Sequence, residues 1–103
     1  MQFHSGKTFS GEKAWDAVDI AEIEGATVRL HWTDAPYKWH INDGAEVFVV
    51  IDGEVDMHYQ DADGEHVMHM VAGDICHAAN GDAHVAHPNG EARILVFEKK
   101  GSV

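Results

Sequence analysis

Short runs in which apolar and polar residues alternate make up most of this chain. Alternation with a period of two is typical of a β-strand with one buried face. Residues 46–51 (EVFVVI) are the strongest strand prediction, because valine is dense there and phenylalanine lies among the valines. The same pattern predicts further strands at residues 27–32, 55–59, 65–71, 75–77, 84–87 and 93–98.

Turn signals separate these runs at intervals of about 8 to 12 residues. Asp52-Gly53 and the acidic segment 61–64 are typical of hairpin turns, and Asn80-Gly81 and Asn89-Gly90 are further turns. This spacing predicts an all-β sandwich or barrel and argues against βαβ units. Residues 14–24 fit either a short helical turn or an edge strand, and the pattern does not decide between them.

The length and charge of the chain narrow the possible functions. A chain of 103 residues fits one domain, which we expect to span residues 1–103. The formal net charge of -11 argues against nucleic acid and against an anionic membrane surface, because both require basic contacts. We therefore expect a small-molecule partner, with neither nucleic acid nor membrane as a partner.

The sequence also bears on the compartment. Cys76 is the single cysteine, so no intrachain disulfide can form, which fits a reducing environment. The first residues lack the basic and apolar regions of a signal peptide, and no apolar run approaches the ~20 residues that span a bilayer. These features predict a cytoplasmic protein.

Nine histidines indicate where chemistry could lie, and one segment combines histidine with other metal-binding groups. On a strand His40 and Asn42 point to the same face. Asp43-Gly44 allows a turn, and Glu46 opens the next strand, so a hairpin would bring its carboxylate beside His40. One imidazole, one amide and one carboxylate are groups that divalent metals bind.

A second run, residues 73–84, ends on another histidine, His84. Closing the sheet into a barrel would place His84 opposite the first segment. His40, Glu46 and His84 would then offer two imidazoles and one carboxylate on one side of a metal ion, with positions left open for water or substrate.

At these residues the chain resembles the cupin superfamily, and more narrowly its small, single-domain bacterial members of the cupin type-2 (conserved barrel) kind without an assigned function. The first cupin motif, at about residues 34–53, reads His40-x-Asn42, three residues, Glu46, six residues, Gly53. Asn42 replaces the second histidine of the motif. Asp34 replaces the glycine that the motif has six residues before its first histidine.

The second cupin motif follows at about residues 73–88. It reads Gly73, five residues, Ala79-x-Gly81, two residues, His84, three residues, Pro88. Ala79 replaces the proline of the motif and Pro88 replaces its asparagine. Two motifs in register, within a matching region of about residues 27–98, make the resemblance specific.

The resemblance implies a small double-stranded β-helix, the jelly-roll-like cupin barrel, and a homodimer. It implies a divalent metal ion held by His40, Glu46 and His84, and Fe, Mn, Ni and Zn are not distinguished. Asn42 is either a doubtful fourth ligand or an amide that hydrogen-bonds a bound molecule or a loop carbonyl. His77 either replaces the missing histidine or is a strand residue that lines the pocket or faces solvent. The other candidates for the pocket wall are core residues, namely Phe48, Val50 and Met57.

Three functions remain open on this evidence. The first is a metal-dependent enzyme that acts on a small oxygenated metabolite, of the dioxygenase, isomerase or lyase type for which the resemblance supplies precedents. The second is a non-catalytic module that binds a small molecule or a sugar. The third is a barrel whose metal site has decayed. The catalytic residues are not predicted, because a motif and a fold do not define a reaction.

Overall fold

A computed structural model describes residues 1–102, which form nine strands and no helix. The strands are β1 (Asp16–Ile23), β2 (Ala26–Thr33), β3 (His40–Ile41), β4 (Glu46–Asp52), β5 (Glu54–Asp61), β6 (Gly64–Val71), β7 (Ile75–Ala78), β8 (Ala83–Pro88) and β9 (Ala92–Lys99). The seven strands predicted from alternation are all confirmed, each extended by one to three residues. β1 and β3 are additional.

The strands form two antiparallel sheets that face each other. Sheet A has the order β1-β2-β9-β4-β7, and sheet B has the order β3-β8-β5-β6. Successive strands such as β3 and β4 fall in different sheets, so the chain passes repeatedly from one sheet to the other. This arrangement confirms the predicted all-β, jelly-roll-like barrel.

Within residues 14–24 the structure has the edge strand β1 (Asp16–Ile23), so the alternative of a helical turn is wrong. β1 pairs with β2 along its length, and its register shifts between Asp19 and Ala21, which marks a β-bulge. Trp15, just before β1, has φ of 62°, a left-handed conformation that is rare for an aromatic residue. The hydrogen bonds to β2 therefore outweigh any local helical preference of this segment.

The core lies between the two sheets and follows the predicted alternation. Sheet A contributes Phe48 and Val50 from β4 together with Ile94 and Val96 from β9, and sheet B contributes residues such as Val55. Alternate residues of β4 and β9 share the inner face, because side chains on a strand alternate in direction. Burial of these apolar side chains is what holds the sheets together.

The connection between β3 and β4 differs from the sequence prediction. β3 pairs with β8 in sheet B, whereas β4 pairs with β7 and β9 in sheet A. The segment between them is therefore a crossing from one sheet to the other, and the hairpin predicted from Asp43-Gly44 is wrong. Turn signals show where the chain reverses, but they do not show which strand becomes the hydrogen-bonded neighbour.

The N-terminal segment lies against sheet A. Arg93 on β9 donates from Nε to the carbonyl oxygen of Phe9 at 2.6 Å and from Nη1 to Asp52 at 2.8 Å. Gly6 approaches Ile51 closely, since a Cβ at Gly6 would lie 2.8 Å from Cγ2 of Ile51. Among residues 1–102 no helix has the length and apolar character needed to cross a membrane.

Candidate metal centre

His40 and His84 lie directly opposite each other in sheet B. β3 and β8 are antiparallel, and the Cα atom of His40 pairs with that of His84. The two imidazole rings are 4.4 Å apart between centroids, with an angle of 57° between their planes. The pairing of two short strands is therefore what brings two residues 44 positions apart in the sequence into contact.

Glu46 reaches the same point from the other sheet. It is the first residue of β4, and its Oε1 lies 3.6 Å from Nε2 of His84. Ligand atoms of His40, Glu46 and His84 all lie within 4.8 Å of one another, and within residues 1–102 they are the one group of histidine, cysteine or acidic residues arranged in this way. The three predicted ligands are therefore neighbours across the barrel.

A backbone contact orients His40. Its Nδ1 lies 3.0 Å from the carbonyl oxygen of Lys38, so this nitrogen carries the proton and donates a hydrogen bond to that oxygen. The lone pair of the neutral ring is then on Nε2. Histidine ligands in metal sites commonly donate their other ring N–H in this way, which fixes both tautomer and ring direction.

Asn42 lies beside His84. Its side-chain oxygen Oδ1 is 2.8 Å from Nε2 of His84, and the pair is buried. Asn42 is only 5% exposed, and its Nδ2 has no hydrogen-bond partner among the described residues. An unsatisfied buried amide is unusual and costs free energy. A metal ion at this point would bind both Oδ1 of Asn42 and Nε2 of His84.

Burial makes both His84 and Glu46 neutral near pH 7. Desolvation, with the neighbouring His40 as a second cause, lowers the pKa of His84 to about 4. Desolvation, followed by the hydrogen bond and charge of Glu98, raises the pKa of Glu46 to about 8. The contact between His84 and Glu46 is therefore a neutral one, without the charges of an ion pair. A divalent cation would supply the charge that the Glu46 carboxylate needs here.

Glu98 is a residue of this site that the sequence analysis missed. It pairs with Glu46 in the register of β4 and β9, and its proximity contributes to the raised pKa of Glu46. The sequence could have indicated Glu98 through its position, because Glu98 follows Val96 and Ile94 on the inward face of a largely apolar strand. An acidic residue at an inward position indicates a polar site.

A cavity of about 230 Å³ adjoins the three ligand residues, and we call it the small cavity. Three aromatic residues, Trp15, Tyr37 and Phe48, form much of its wall. The rings of Trp15 and Tyr37 meet edge to face at 5.4 Å, and Tyr37 meets His40 at the same distance. The sequence analysis predicted Phe48 as a lining residue, but it did not predict Trp15 or Tyr37.

A second cavity, of about 590 Å³, opens on the other side of His84, which lines both cavities. Met57 and His77, two of the predicted lining residues, contribute to this larger cavity. His77 is exposed and lies outside the group of three ligand residues. Val50, the other predicted lining residue, is fully buried in the core and lines neither cavity.

The remaining histidines of sheet B form separate contacts. His69 lies between Asp56 and Glu54, at 2.6 and 2.8 Å, and these hydrogen bonds raise its pKa. The rings of His58 and His87 lie 4.2 Å apart between centroids. Two of the nine histidines therefore belong to the candidate site, and at least three others make contacts elsewhere on sheet B.

Known structures resemble this one closely in fold. A cupin-2 domain protein from Shewanella frigidimarina has a TM-score of 0.77 at 23% identity, with 87% of this chain and 85% of that chain covered. A protein from Neisseria meningitidis has a TM-score of 0.72 at 18% identity, covering 88% and 90%. No family model matches the sequence, and no curated protein matches it significantly.

An enzyme is among the similar structures. Hydroquinone 1,2-dioxygenase, in complex with Cd²⁺ and 4-hydroxybenzonitrile, has a TM-score of 0.74 at 20% identity, with 87% of this chain and 67% of that chain covered. At such identities the likeness concerns the fold. With the two-sheet topology, it shows that this chain has the fold of a small cupin barrel.

Proposed function

We propose that the chain binds one divalent transition-metal ion through His40, Glu46 and His84, with Asn42 as an additional oxygen donor. The supporting observation is the approach of the three ligand groups to within 4.8 Å from two facing sheets. Two histidines and one carboxylate on one side of an ion leave positions open for substrate, an arrangement found with non-haem iron. Fe, Mn, Ni and Zn all accept such ligands.

We further propose that the site acts on a small oxygenated molecule, in the manner of a dioxygenase, an isomerase or a lyase. A bound ion would polarise an oxygen of the substrate or activate dioxygen. The aromatic wall of the small cavity would exclude water from the substrate. Glu98, which pairs with Glu46 in the register of β4 and β9, would place a second carboxyl group beside the ion. The hydroquinone dioxygenase with the same fold supports an enzyme of this kind.

The second candidate function is a binding module without turnover. Asn42 favours it, because an amide oxygen is a weaker ligand for transition metals than the imidazole that the cupin motif has at this position. Its hydrogen bond to His84 also satisfies His84 Nε2 without an ion. In this case the same pocket would hold a metabolite or sugar for transport or sensing.

Metal content tests the site. The protein, purified without added metal and then dialysed against Fe²⁺, Mn²⁺, Ni²⁺ or Zn²⁺, should retain one ion per chain by elemental analysis. His84→Ala should lose it. His87→Ala is the matched control, because His87 lies on the same strand outside the ligand group. Equal metal content in wild type and His84→Ala would refute the site, as would no binding of any ion by wild type.

Turnover separates the enzyme from the binding module. The metal-loaded protein should consume dioxygen or convert a member of a panel of hydroxy acids, keto acids, diols and hydroquinones. The His84→Ala variant should not. Binding of a panel member by calorimetry without conversion would instead support the module.

We also propose that the protein is a homodimer joined through β6. Each sheet has two edge strands, and those are β1 and β7 in sheet A and β3 and β6 in sheet B. β7 and β3 have four and two residues, and β1 has a bulge, all of which are known protections against edge pairing. β6 has eight residues in continuous register and exposes Val67, Met68 and Val71.

The register of β6 permits two copies to pair with each other. Antiparallel pairing of two copies about Val67 would bring their exposed Val67 side chains into contact. Alternate residues of β6 would remain on matching faces.

A cytoplasmic location is the last part of the proposal. Cys76 is a free, half-buried thiol, which a reducing compartment would preserve.

A further inference from the structure

Arg29 is the feature of the small cavity that the proposed metal site does not use. It lies on β2 and lines the cavity together with the metal-site residues His40, Glu46 and His84. Among the lining residues it is the one arginine or lysine. His31, its neighbour on the same face, is kept neutral near pH 7, because burial lowers its pKa. The cavity therefore has one permanent positive charge.

Asp19 orients the Arg29 guanidinium. It is the cross-strand partner of Arg29 on β1, and its Oδ1 accepts a hydrogen bond from Arg29 Nε at 2.7 Å. The β-bulge of β1 begins directly after Asp19, a position at which bulges commonly redirect side chains. Within residues 1–102 Arg29 has no other ion pair or side-chain hydrogen bond. Both terminal nitrogens of the guanidinium are therefore available to a ligand.

The distance between the two ends of the cavity limits the ligand. In sheet A, Arg29 pairs with Val96 on β9, and Val96 pairs with Phe48 on β4, so Arg29 lies two strands from β4. Two strand spacings are about 10 Å, and the side chains of Arg29 and Glu46 shorten the gap. The cavity of about 230 Å³ has room for roughly eight water-sized groups at about 30 Å³ each.

We propose that the small cavity binds a small organic acid of about six to nine non-hydrogen atoms, whose carboxylate pairs with Arg29 while an oxygen at its other end faces His40, Glu46 and His84. This inference rests on the proposed metal site for one end of the ligand. A guanidinium binds a carboxylate through two parallel hydrogen bonds, which a lysine cannot reproduce. The aromatic wall formed by Trp15 and Tyr37 suits the carbon chain between the two ends.

The negative net charge of the chain bears on which ligands Arg29 would bind. With a net charge of -11, the protein repels anions in general. Arg29 is the one arginine or lysine that lines the small cavity, so it is the cationic partner that the cavity offers to a negatively charged ligand group. It would select for a ligand that places its negative charge at this point.

The test uses the whole chain loaded with Co²⁺, whose visible spectrum reports a change at the metal. Calorimetry measures the affinity for malonate, succinate and glutarate, and for succinamide, in which both carboxylates of succinate are amides. We expect wild type to prefer one of these diacids over succinamide. In Arg29→Gln the affinity for that diacid should fall about tenfold to hundredfold, while cobalt content and succinamide binding stay unchanged.

Two further variants control the experiment. Lys100→Gln removes one positive charge at an exposed position that does not line the small cavity, and it should behave as wild type. Arg29→Lys keeps the charge and loses the paired hydrogen bonds, so the diacid affinity should be intermediate. If Arg29→Gln does not fold, Arg29→Lys carries the test, and wild-type affinity in this variant counts against the proposal.

The outcomes separate this inference from the proposed function. If wild type binds cobalt and Arg29→Gln binds the diacids as tightly as wild type, the inference is wrong and the metal site stands. If wild type binds no cobalt, the metal site is wrong, and the same titrations on the metal-free chain decide the role of Arg29. In the metal-free chain, weaker diacid binding by Arg29→Gln than by wild type supports the carboxylate site. Equal affinities overturn it, as does the absence of binding of every diacid to wild type.

Discussion

At the scale of single residues, Asn42 is where this chain departs most from the cupin motif. Its oxygen contacts His84 Nε2, while its nitrogen is buried without a partner. Asn42 therefore lies where the cupin motif has a histidine ligand, and its amide oxygen is a weaker donor than an imidazole. In the proposed metal site, its identity should affect how tightly an ion is held.

Replacement of Asn42 by histidine should raise the affinity for Ni²⁺ or Zn²⁺, because an imidazole nitrogen is the better donor for these ions. The measurement is competition with a chromophoric chelator. Ile41→His is the matched control, since Ile41 precedes Asn42 and is exposed. Equal gains in both variants would indicate that the added histidine binds metal at the surface, and would contradict the proposed place of Asn42.

Glu46 should make the metal-free protein less stable at alkaline pH. Its pKa is raised to about 8 in the folded state from an ordinary value of 4.5. Such a group contributes stability that is fully present below about pH 4.5 and is lost as pH rises through 8. His84 has the opposite effect. Because its pKa is lowered from 6.5 to about 4 in the folded state, the protein loses stability as pH falls from 6.5 towards 4.

The measurement is the free energy of unfolding in urea with a chelator present, at pH 6.5 and pH 9. Wild type should lose stability over this interval relative to Glu46→Gln, by on the order of 1 kcal/mol or more. Glu12→Gln, at an exposed carboxyl, should follow wild type. If Glu46→Gln follows wild type as well, burial does not hold the proton on Glu46.

At the scale of elements, the turn between β4 and β5, at the end of the first motif, packs against the segment just before β9. Gly53 has φ of 81°, and a Cβ there would lie 2.4 Å from the carbonyl oxygen of Glu91 and 3.0 Å from Cα of Ala92. Glycine is needed at this position for two reasons, the left-handed backbone and the close approach of the segment before β9.

Gly53→Ala should therefore cost more stability than Gly64→Ala. Gly64 also has positive φ, at 115°, but a Cβ there meets no atom within 4 Å. The unfavourable backbone alone costs about 1 to 2 kcal/mol, and the clash at Gly53 adds to this cost. Thermal unfolding of the two variants measures the difference, and equal losses would mean that the backbone near Glu91 moves away freely.

At the scale of the whole molecule, the proposed β6 interface makes a prediction about assembly. Val67 lies at the centre of the proposed pairing and is 57% exposed in the single chain. Val67→Lys would place two like charges face to face, so we expect a monomer by sedimentation or light scattering where wild type is a dimer. Ile23→Lys on the edge strand β1 is the control and should remain dimeric. A wild-type monomer, or a dimer that only Ile23→Lys disrupts, would contradict the interface.

Much of the fold could be predicted from local sequence. Alternation defined seven strands, and the turn residues defined the reversals between them, because both signals depend on neighbours along the chain. The segment before β2 could not be assigned, since its strand exists through pairing with β2. β3, with two residues, is too short for alternation to be visible.

The candidate site could be predicted in its ligands but not in its surroundings. His40, Glu46 and His84 follow from the motif and from the alternation of side chains on strands. Glu98 and Arg29 belong to strands β9 and β2, far away in sequence, and their inward positions become meaningful once sheet A is assembled. The hairpin predicted from Asp43-Gly44 is wrong for the same reason, because local turns do not decide which strands pair.

The sequence by itself therefore determined seven of the nine strands, their inward faces and the three residues proposed to bind the metal, since each depends on spacing along the chain. Only the tertiary structure decided that β3 and β4 lie in opposite sheets, that Glu46 meets His84 across the barrel, and that Arg29 lines the cavity beside them. These features arise from contacts between distant segments, which the burial of a common core selects and which no local pattern encodes.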